Sequence, residues 1–185
     1  SAAPYRREIT WSIFDEKANR VANMLLSRGI QKGDRVAILM FNCLEWLPIY
    51  FGILKTGAIA VPFNVRFSAE EIKYCADLAE VHMIFFGPEF IGRIESLEED
   101  LSKGRLLIYV GDGCPTFAES YRELVADCSS HAPLVRLEEE DDAGHVAHIK
   151  VSSAWAGKRR KHGIITALTE DDIEAFPVFN PDPIV

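Results

Sequence analysis

The sequence predicts an α/β fold: a doubly wound, mostly parallel sheet with helices on both faces. Short apolar runs of strand length alternate with longer segments of helical periodicity, an order typical of parallel α/β proteins. The run from Val36 to Met40 is continuously apolar, as expected of a strand covered on both faces. A chain of 185 residues, 48% hydrophobic and 26% charged, fits one globular domain, or one domain with an appendage.

The first half of the chain predicts two helices and two strands. Apolar residues at helical spacing predict a helix over residues 11–28, and Gly29 suits the left-handed position that follows a helix. A second, mostly apolar helix is expected over residues 44–55, and Gly57 ends it. The strands are expected at residues 35–40 and 58–63.

The second half continues the alternation. Ser68 and Glu71 form a capping box that opens a helix to residue 79. Thr116 and Glu119 have the same spacing and predict a second capping box, with a helix to residue 126. The remaining elements are a strand at 82–86, a charged helix at 91–102, a strand at 106–110, a fifth strand at 134–137 and an acidic loop at 138–142.

Charge and cysteine content indicate the setting of the protein. Residues 144–185 carry five basic and five acidic residues, so the net charge of −8 lies in residues 1–143. An acidic chain is a poor nucleic-acid binder, because phosphates need positive partners. We find no apolar run of the roughly 18 residues that a membrane span needs. The four cysteines form no CxxC pair, which favours reduced thiols and a cytoplasmic protein.

Three segments together resemble one enzyme superfamily. The most specific is GILKTGAIAVPFN at residues 52–64, and residues 68–72 continue its pattern. The others are KGDRVAIL at residues 32–39 and the stretch that starts at Thr10-Trp11 and ends at Gly29. These segments resemble the adenylate-forming enzymes, which include the acyl-CoA synthetases. The resemblance covers about residues 9–142, and the matched segments look like scaffolding.

The resemblance implies a function and a set of small-molecule partners. Members of the superfamily activate a carboxylic acid with ATP to an acyl-adenylate, release pyrophosphate and, in the CoA-dependent members, transfer the acyl group to CoA. It therefore implies the N-terminal subdomain of an acyl-CoA synthetase active in fatty acid metabolism. ATP, Mg²⁺, CoA and a carboxylic acid are the expected ligands. A homodimer is compatible with it, whereas a nucleic-acid partner and a membrane span are not expected.

The family's phosphate loop should follow the acidic segment, and its place is taken by residues 151–161. Ser152, Ser153, Gly157 and Lys158 fit a phosphate loop, because such loops need small hydroxyl donors, close backbone approach and positive charge. Trp155 stands where the family has a hydroxyl residue. A degenerate phosphate loop and an unrelated solvated basic tail both stay open. We therefore divide the chain into an α/β subdomain at 1–143 and a divergent or truncated tail at 144–185.

Later family motifs for adenine, ribose and the C-terminal lid are missing from the sequence, so we assign no catalytic residue and expect the 185-residue chain to be inactive alone. His145 and His148 lack further ligands at metal spacing, and no metal site is predicted. The turn at residues 111–113 is expected at the carboxyl edge of the sheet. Two other functions stay open: a non-catalytic α/β interaction module, and a small independent nucleotide-binding domain.

Overall fold

A computed structural model of the protein describes residues 9–101 and 103–135, which form a five-stranded sheet and six α-helices. The strands are β1 (Arg35–Leu39), β2 (Ile59–Pro62), β3 (Val81–Phe86), β4 (Leu106–Tyr109) and β5 (Glu119–Ser120). The helices are α1 (Trp11–Ser27), α2 (Trp46–Lys55), α3 (Ala69–Leu78), α4 (Ile91–Glu95), α5 (Glu98–Leu101) and α6 (Tyr121–Ala126), with a 3₁₀ turn at Pro88–Phe90 before α4.

All the described strands are parallel, in the order β2-β1-β3-β4-β5. The chain moves from β1 to one side for β2 and then crosses to the other side for β3. The topological switch point of the sheet therefore lies between β1 and β3. At the start of this pair the register shifts between Arg35 and Val36.

Two apolar layers sandwich the sheet, because alternate residues of a strand face opposite sides. Val36, Ile38 and Met40 pack in one core with residues of α1 and α2, and α6 covers its margin. Ala37 and Leu39 point into the other core, which α3, α4 and α5 cover. The prediction of a doubly wound parallel sheet with helices on both faces is confirmed.

Side-chain caps mark the starts of α1 and α3. The Thr10 side chain accepts a hydrogen bond from the Ile13 backbone N–H at 3.3 Å and caps α1. At α3, the Ser68 hydroxyl accepts from the Glu71 N–H at 3.3 Å, and the Glu71 carboxylate accepts from the Ser68 N–H at 2.8 Å. The predicted capping box at Ser68 is therefore present, and it satisfies two backbone donors at the helix start.

Two glycines in the segment between residues 52 and 57 shape the packing of α2. Gly57 has a φ of 76°, a conformation that penalises a β-carbon, and its carbonyl accepts from the Gly33 N–H at 2.9 Å. Gly52 faces α1: a β-carbon there would lie 2.6 Å from the Val21 Cβ and 2.9 Å from the Ala18 carbonyl oxygen. The absence of a side chain at Gly52 lets α1 and α2 approach closely.

The predicted capping box at Thr116–Glu119 is wrong. Glu119 and Ser120 form β5, which pairs with Ile108 and Tyr109 of β4. Helix α6 starts four residues later than that pattern implies, with the Ser120 hydroxyl accepting from the Glu123 N–H at 3.4 Å. Backbone pairing with β4 holds Glu119 extended, and that tertiary contact overrides the local capping pattern.

Two further predicted elements in the second half of the chain differ from those observed. The charged helix expected at 91–102 is two short helices, because Ser96 ends α4 and its hydroxyl donates to the Arg93 carbonyl at 2.8 Å, which competes with helical hydrogen bonds. Of the strand expected at 134–137, Leu134 and Val135 belong to no strand. Residues 136–137 and the acidic loop lie outside the described residues.

Candidate functional site

The carboxyl ends of the parallel strands define the edge of the sheet at which ligands bind in open α/β folds. At the switch point, the loop at residues 40–45 follows β1 and the loop at residues 87–90 follows β3. The Gly87 N–H donates to the Leu39 carbonyl at 3.1 Å, so the two strands stay paired up to the point where their loops separate. The crevice between these loops is the candidate site.

Two aromatic rings bring these loops into contact. Phe41 is half-exposed, and the centroid of its ring lies 5.6 Å from that of the buried Phe90 ring. The Arg93 guanidinium carbon lies 5.3 Å from the Phe90 ring centroid, and its Nη1 donates to the carbonyls of Val65 (2.9 Å) and Phe67 (3.0 Å). Arg93 therefore ties the loop after β2 to α4, and the exposed face of Phe41 offers an apolar contact.

The turn predicted at residues 111–113 lies at the same edge, after β4. The Tyr109 hydroxyl donates to the Asp112 carbonyl at 3.0 Å. A β-carbon at Gly111 would lie 2.6 Å from that hydroxyl oxygen, so glycine is needed for the tyrosine to close over the turn. Gly113 has a φ of 71°. The position of this predicted turn at the carboxyl edge is confirmed.

A cavity of about 310 Å³ lies beyond this turn, and Cys114, Glu119 and Glu123 are among the residues that line it. Burial raises the pKa of the Cys114 thiol, and the nearby carboxylates of Glu123 and Glu119 raise it further. Arg28 donates both terminal guanidinium nitrogens to the Glu119 carboxylate. The thiol is therefore protonated at neutral pH, and the acidic lining disfavours anionic ligands.

The charges of the four carboxyl-edge loops, at residues 40–45, 63–68, 87–90 and 110–118, are mostly negative. The acidic residues are Glu45, Glu89 and Asp112, and the single basic residue is Arg66. A triphosphate needs several positive groups or donors around its oxygens. The described residues of this edge therefore do not fit the phosphates of ATP.

Two titratable groups near the switch point are held in their neutral forms. Burial raises the pKa of the Cys43 thiol, with a smaller contribution from the Glu45 charge. Burial also raises the pKa of the Tyr121 phenol, whose ring lies edge-on to Phe85 with centroids 6.3 Å apart. Neither group supplies an ionised nucleophile or base at neutral pH. Within residues 9–101 and 103–135, no three His, Cys, Asp or Glu side chains converge as metal ligands would.

The residues proposed from sequence to bind phosphate, Ser152, Ser153, Gly157 and Lys158, lie outside the described residues, as do His145 and His148. Sequence reasoning missed the contact between Phe41 and Phe90 at the switch point. The sequence carries no signal for this contact, because it depends on which strands are neighbours in the sheet.

A family model supplies the decisive comparison: the model described as "AMP-binding enzyme" matches residues 2–157. The chain belongs to the AMP-binding enzyme family. This assignment confirms the resemblance to adenylate-forming enzymes, which rested on the segments at residues 32–39 and 52–64. The match also continues beyond Val135, the last described residue.

Curated members of the AMP-binding enzyme family align with part of the chain. The crotonobetaine/carnitine–CoA ligase of Salmonella typhimurium is 35% identical over 96 residues, which are 52% of this chain and 19% of that enzyme. The enzyme of the same name from Citrobacter koseri is 34% identical over 111 residues, 59% of this chain and 21% of that enzyme. The chain thus spans about one fifth of the length of these relatives.

Solved structures of family members share the fold. The anthranilate CoA ligase AuaEII, in complex with anthranoyl-AMP, superposes with a TM-score of 0.69 at 27% identity, over 73% of this chain and 26% of that one. The N-terminal domain of FACL13 from Mycobacterium tuberculosis gives a TM-score of 0.62 at 27% identity, over 72% of this chain and 33% of that one. The described unit therefore has the fold of the N-terminal domain of acyl-CoA ligases.

Among the helices of the described residues, none combines the length and the apolar character that crossing a bilayer requires.

Proposed function

We propose that this chain forms the N-terminal α/β unit of an ATP-dependent acyl-CoA synthetase. The proposed reaction has two steps: a carboxylate attacks the α-phosphate of ATP to give an acyl-adenylate and pyrophosphate, and the CoA thiol then displaces AMP. The observation that carries the proposal is the family match over residues 2–157. Relatives named as CoA ligases support the second step, in which the acyl group is transferred to CoA.

In this proposal the described residues build the scaffold, and the nucleotide chemistry lies elsewhere. The close approach of α1 and α2 at Gly52 and the turn at Gly57 fix the helix and strand that carry the LKTGAIAVP run. The carboxyl-edge loops provide an apolar contact at Phe41 and a single exposed cation, Arg66. No step of the reaction is assigned to these loops, because their charge does not match a triphosphate.

The phosphate contacts are assigned to Ser152, Ser153, Gly157 and Lys158. The hydroxyls and the glycine backbone would donate to phosphate oxygens, and the Lys158 ammonium would act as a point charge. Mg²⁺ would supply the further positive charge that the pyrophosphate leaving group needs. The division into residues 1–143 and 144–185, a homodimer and a cytoplasmic location remain predictions.

Calorimetric titration of Mg·ATP into the full 185-residue chain tests the phosphate assignment. We expect binding to the unmodified chain and to the control Lys150→Ala. Lys158→Ala should weaken it by about tenfold or more, the loss expected for a hydrogen bond to a charged group. Equal binding in Lys158→Ala would contradict the assignment and favour an independent nucleotide-binding domain. No binding to the unmodified chain would also contradict it.

A second candidate function, a non-catalytic interaction module, is favoured by exposed apolar side chains on α1 and α2. Trp11 is 86% exposed, Leu47 52% and Phe51 43%. The rings of Trp11, Phe14 and Phe51 form successive edge-to-face contacts, with centroids 5.9 and 5.4 Å apart. If the chain binds no nucleotide, these side chains are the part of the described surface best suited to contact another protein.

A further inference from the structure

The backbone of Ala126–His131, which we name the strap, begins at the last residue of α6 and is held to α1 by side chains; after Ala126 its residues belong to no helix or strand. Five of its six carbonyl groups accept hydrogen bonds from three α1 residues that are more than 100 positions earlier in the chain. The bonds run from Asn19 to Ser130 (2.9 Å), from Arg20 to Ala126 (3.1 Å) and Cys128 (2.5 Å), and from Asn23 to Ser129 (2.8 Å) and His131 (2.9 Å). These donors form a latch.

The attachment of the strap is almost entirely polar. Cys128 is the one strap residue that packs against an apolar core, and its thiol also donates to the Leu124 carbonyl at 3.1 Å. Ala126, Asp127, Ser129 and His131 are exposed. Carbonyls released from the latch can accept hydrogen bonds from water, so the net gain of each bond is small. A segment with few buried apolar contacts opens at low cost.

One latch residue is incompletely satisfied when the strap is closed. Asn19 is 3% exposed, and its Nδ2 donates to both the Asp15 carboxylate (3.0 Å) and the Ser130 carbonyl. Its Oδ1 is buried and accepts no hydrogen bond from the described residues. A buried, unpaired acceptor costs free energy. Opening of the strap would let water reach this oxygen and so recover part of that cost.

We propose that the strap opens from α1 as a unit while the sheet, helices α1 to α5 and the body of α6 stay folded, and that Asn19, Arg20 and Asn23 are positioning residues that hold it closed. The strap leads towards residues 136–157, the last part of the family match. This motion depends on the described contacts and not on the proposed reaction.

The four cysteines serve as native reporters of the opening. Cys43 and Cys114 are exposed, Cys75 lies on the buried face of α3, and Cys128 in the strap is half-buried. Labelling of the full chain with N-ethylmaleimide, followed by mass spectrometry of the separate peptides, gives a rate for each thiol. Cys75 reports global unfolding and Cys128 reports opening of the strap.

In the double variant Arg20→Ala/Asn23→Ala, we expect the labelling rate of Cys128 to rise by about tenfold or more, the factor for at least one lost hydrogen bond. The rate of Cys75 should stay unchanged. The Arg20 charge lowers the pKa of the Cys128 thiol, although burial raises that pKa by more. Loss of the Arg20 charge alone would therefore raise the pKa and slow labelling, so it cannot produce the expected increase. Glu16→Ala, an exposed change on the same helix, is the matched control.

Two results would overturn the proposal. If the rates of Cys75 and Cys128 rise together, the latch residues contribute only to global stability. If the rate of Cys128 does not rise, they do not hold the strap. If the double variant fails to fold, the labelling rates of Cys75 and Cys128 are measured in Arg20→Lys instead. Lysine keeps the charge but cannot reproduce the guanidinium geometry. It should raise the rate of Cys128 alone.

Discussion

Replacement of Gly52 by alanine tests whether the close approach of α1 and α2 is required by the fold. The new β-carbon would lie 2.6 Å from both the Cβ and the Cγ1 of Val21, and 2.9 Å from the Ala18 carbonyl oxygen. Two of these three atoms are fixed to the α1 backbone and cannot move aside by a change of rotamer. The helices must therefore separate, or α2 must shift along α1.

The expected cost follows from two opposing effects. Overpacking a tight core costs about 1–3 kcal/mol, and contacts this short with backbone-fixed atoms favour the upper end of that range. Alanine in place of glycine within a helix gains about 1 kcal/mol in helix propensity. Gly52→Ala should therefore destabilise the protein by about 2 kcal/mol, which lowers the Tm by roughly 4–8 °C for a chain of this size.

Urea unfolding followed by circular dichroism measures this change in the free energy of unfolding. Gly92→Ala in α4 is the matched control, because Gly92 is exposed and a β-carbon there meets nothing within 4 Å. That variant should be neutral or more stable by up to about 1 kcal/mol. If Gly52→Ala were as stable as Gly92→Ala, the inferred contact between α1 and α2 at Gly52 would be incorrect.

Two further variants test the backbone and the charges. Gly57→Ala should lower the free energy of unfolding by about 1 kcal/mol or more, because alanine is strained at a φ of 76°; an unchanged Tm would contradict that conformation. The hydrogen bond from Lys73, together with Arg105, lowers the pKa of the Asp77 carboxyl. The stability that this carboxylate adds is present above the ordinary Asp pKa and is lost as the pH falls through its lowered value. Denaturant titrations should therefore show an advantage over Asp77→Asn at neutral pH that disappears in acid, and a constant difference would refute the ion pairs.

Elements with a local signal were predictable from the sequence. Helix α1 follows from apolar spacing, and Ser68 marks α3 because its capping box is complete within four residues. The pattern at Thr116–Glu119 is locally equivalent, yet Glu119 pairs with β4. Nothing in the sequence separates these two cases, because the difference is a contact with Ile108, a residue of another strand.

The candidate site depended on the same kind of non-local information. The residue types at the carboxyl-edge loops were visible in the sequence, and the turn after β4 was placed correctly. The contact between Phe41 and Phe90 was not predictable, since it requires β1 and β3 to be adjacent. The latch on α1 is likewise invisible, because Asn19 and Asn23 would suit any solvent-facing helix surface.

Acid-dependent release of pyrophosphate is the most direct measurement of whether the chain supplies scaffold rather than adenylation chemistry. The assay incubates the intact 185-residue chain with Mg·ATP and short-chain, long-chain and aromatic carboxylic acids, with a complete CoA ligase as positive control. We predict no pyrophosphate above the level without acid, because the residues proposed to bind phosphate are not accompanied in this sequence by the family motifs for adenine, ribose and the C-terminal lid. Pyrophosphate release that requires both the acid and the intact chain would contradict this account.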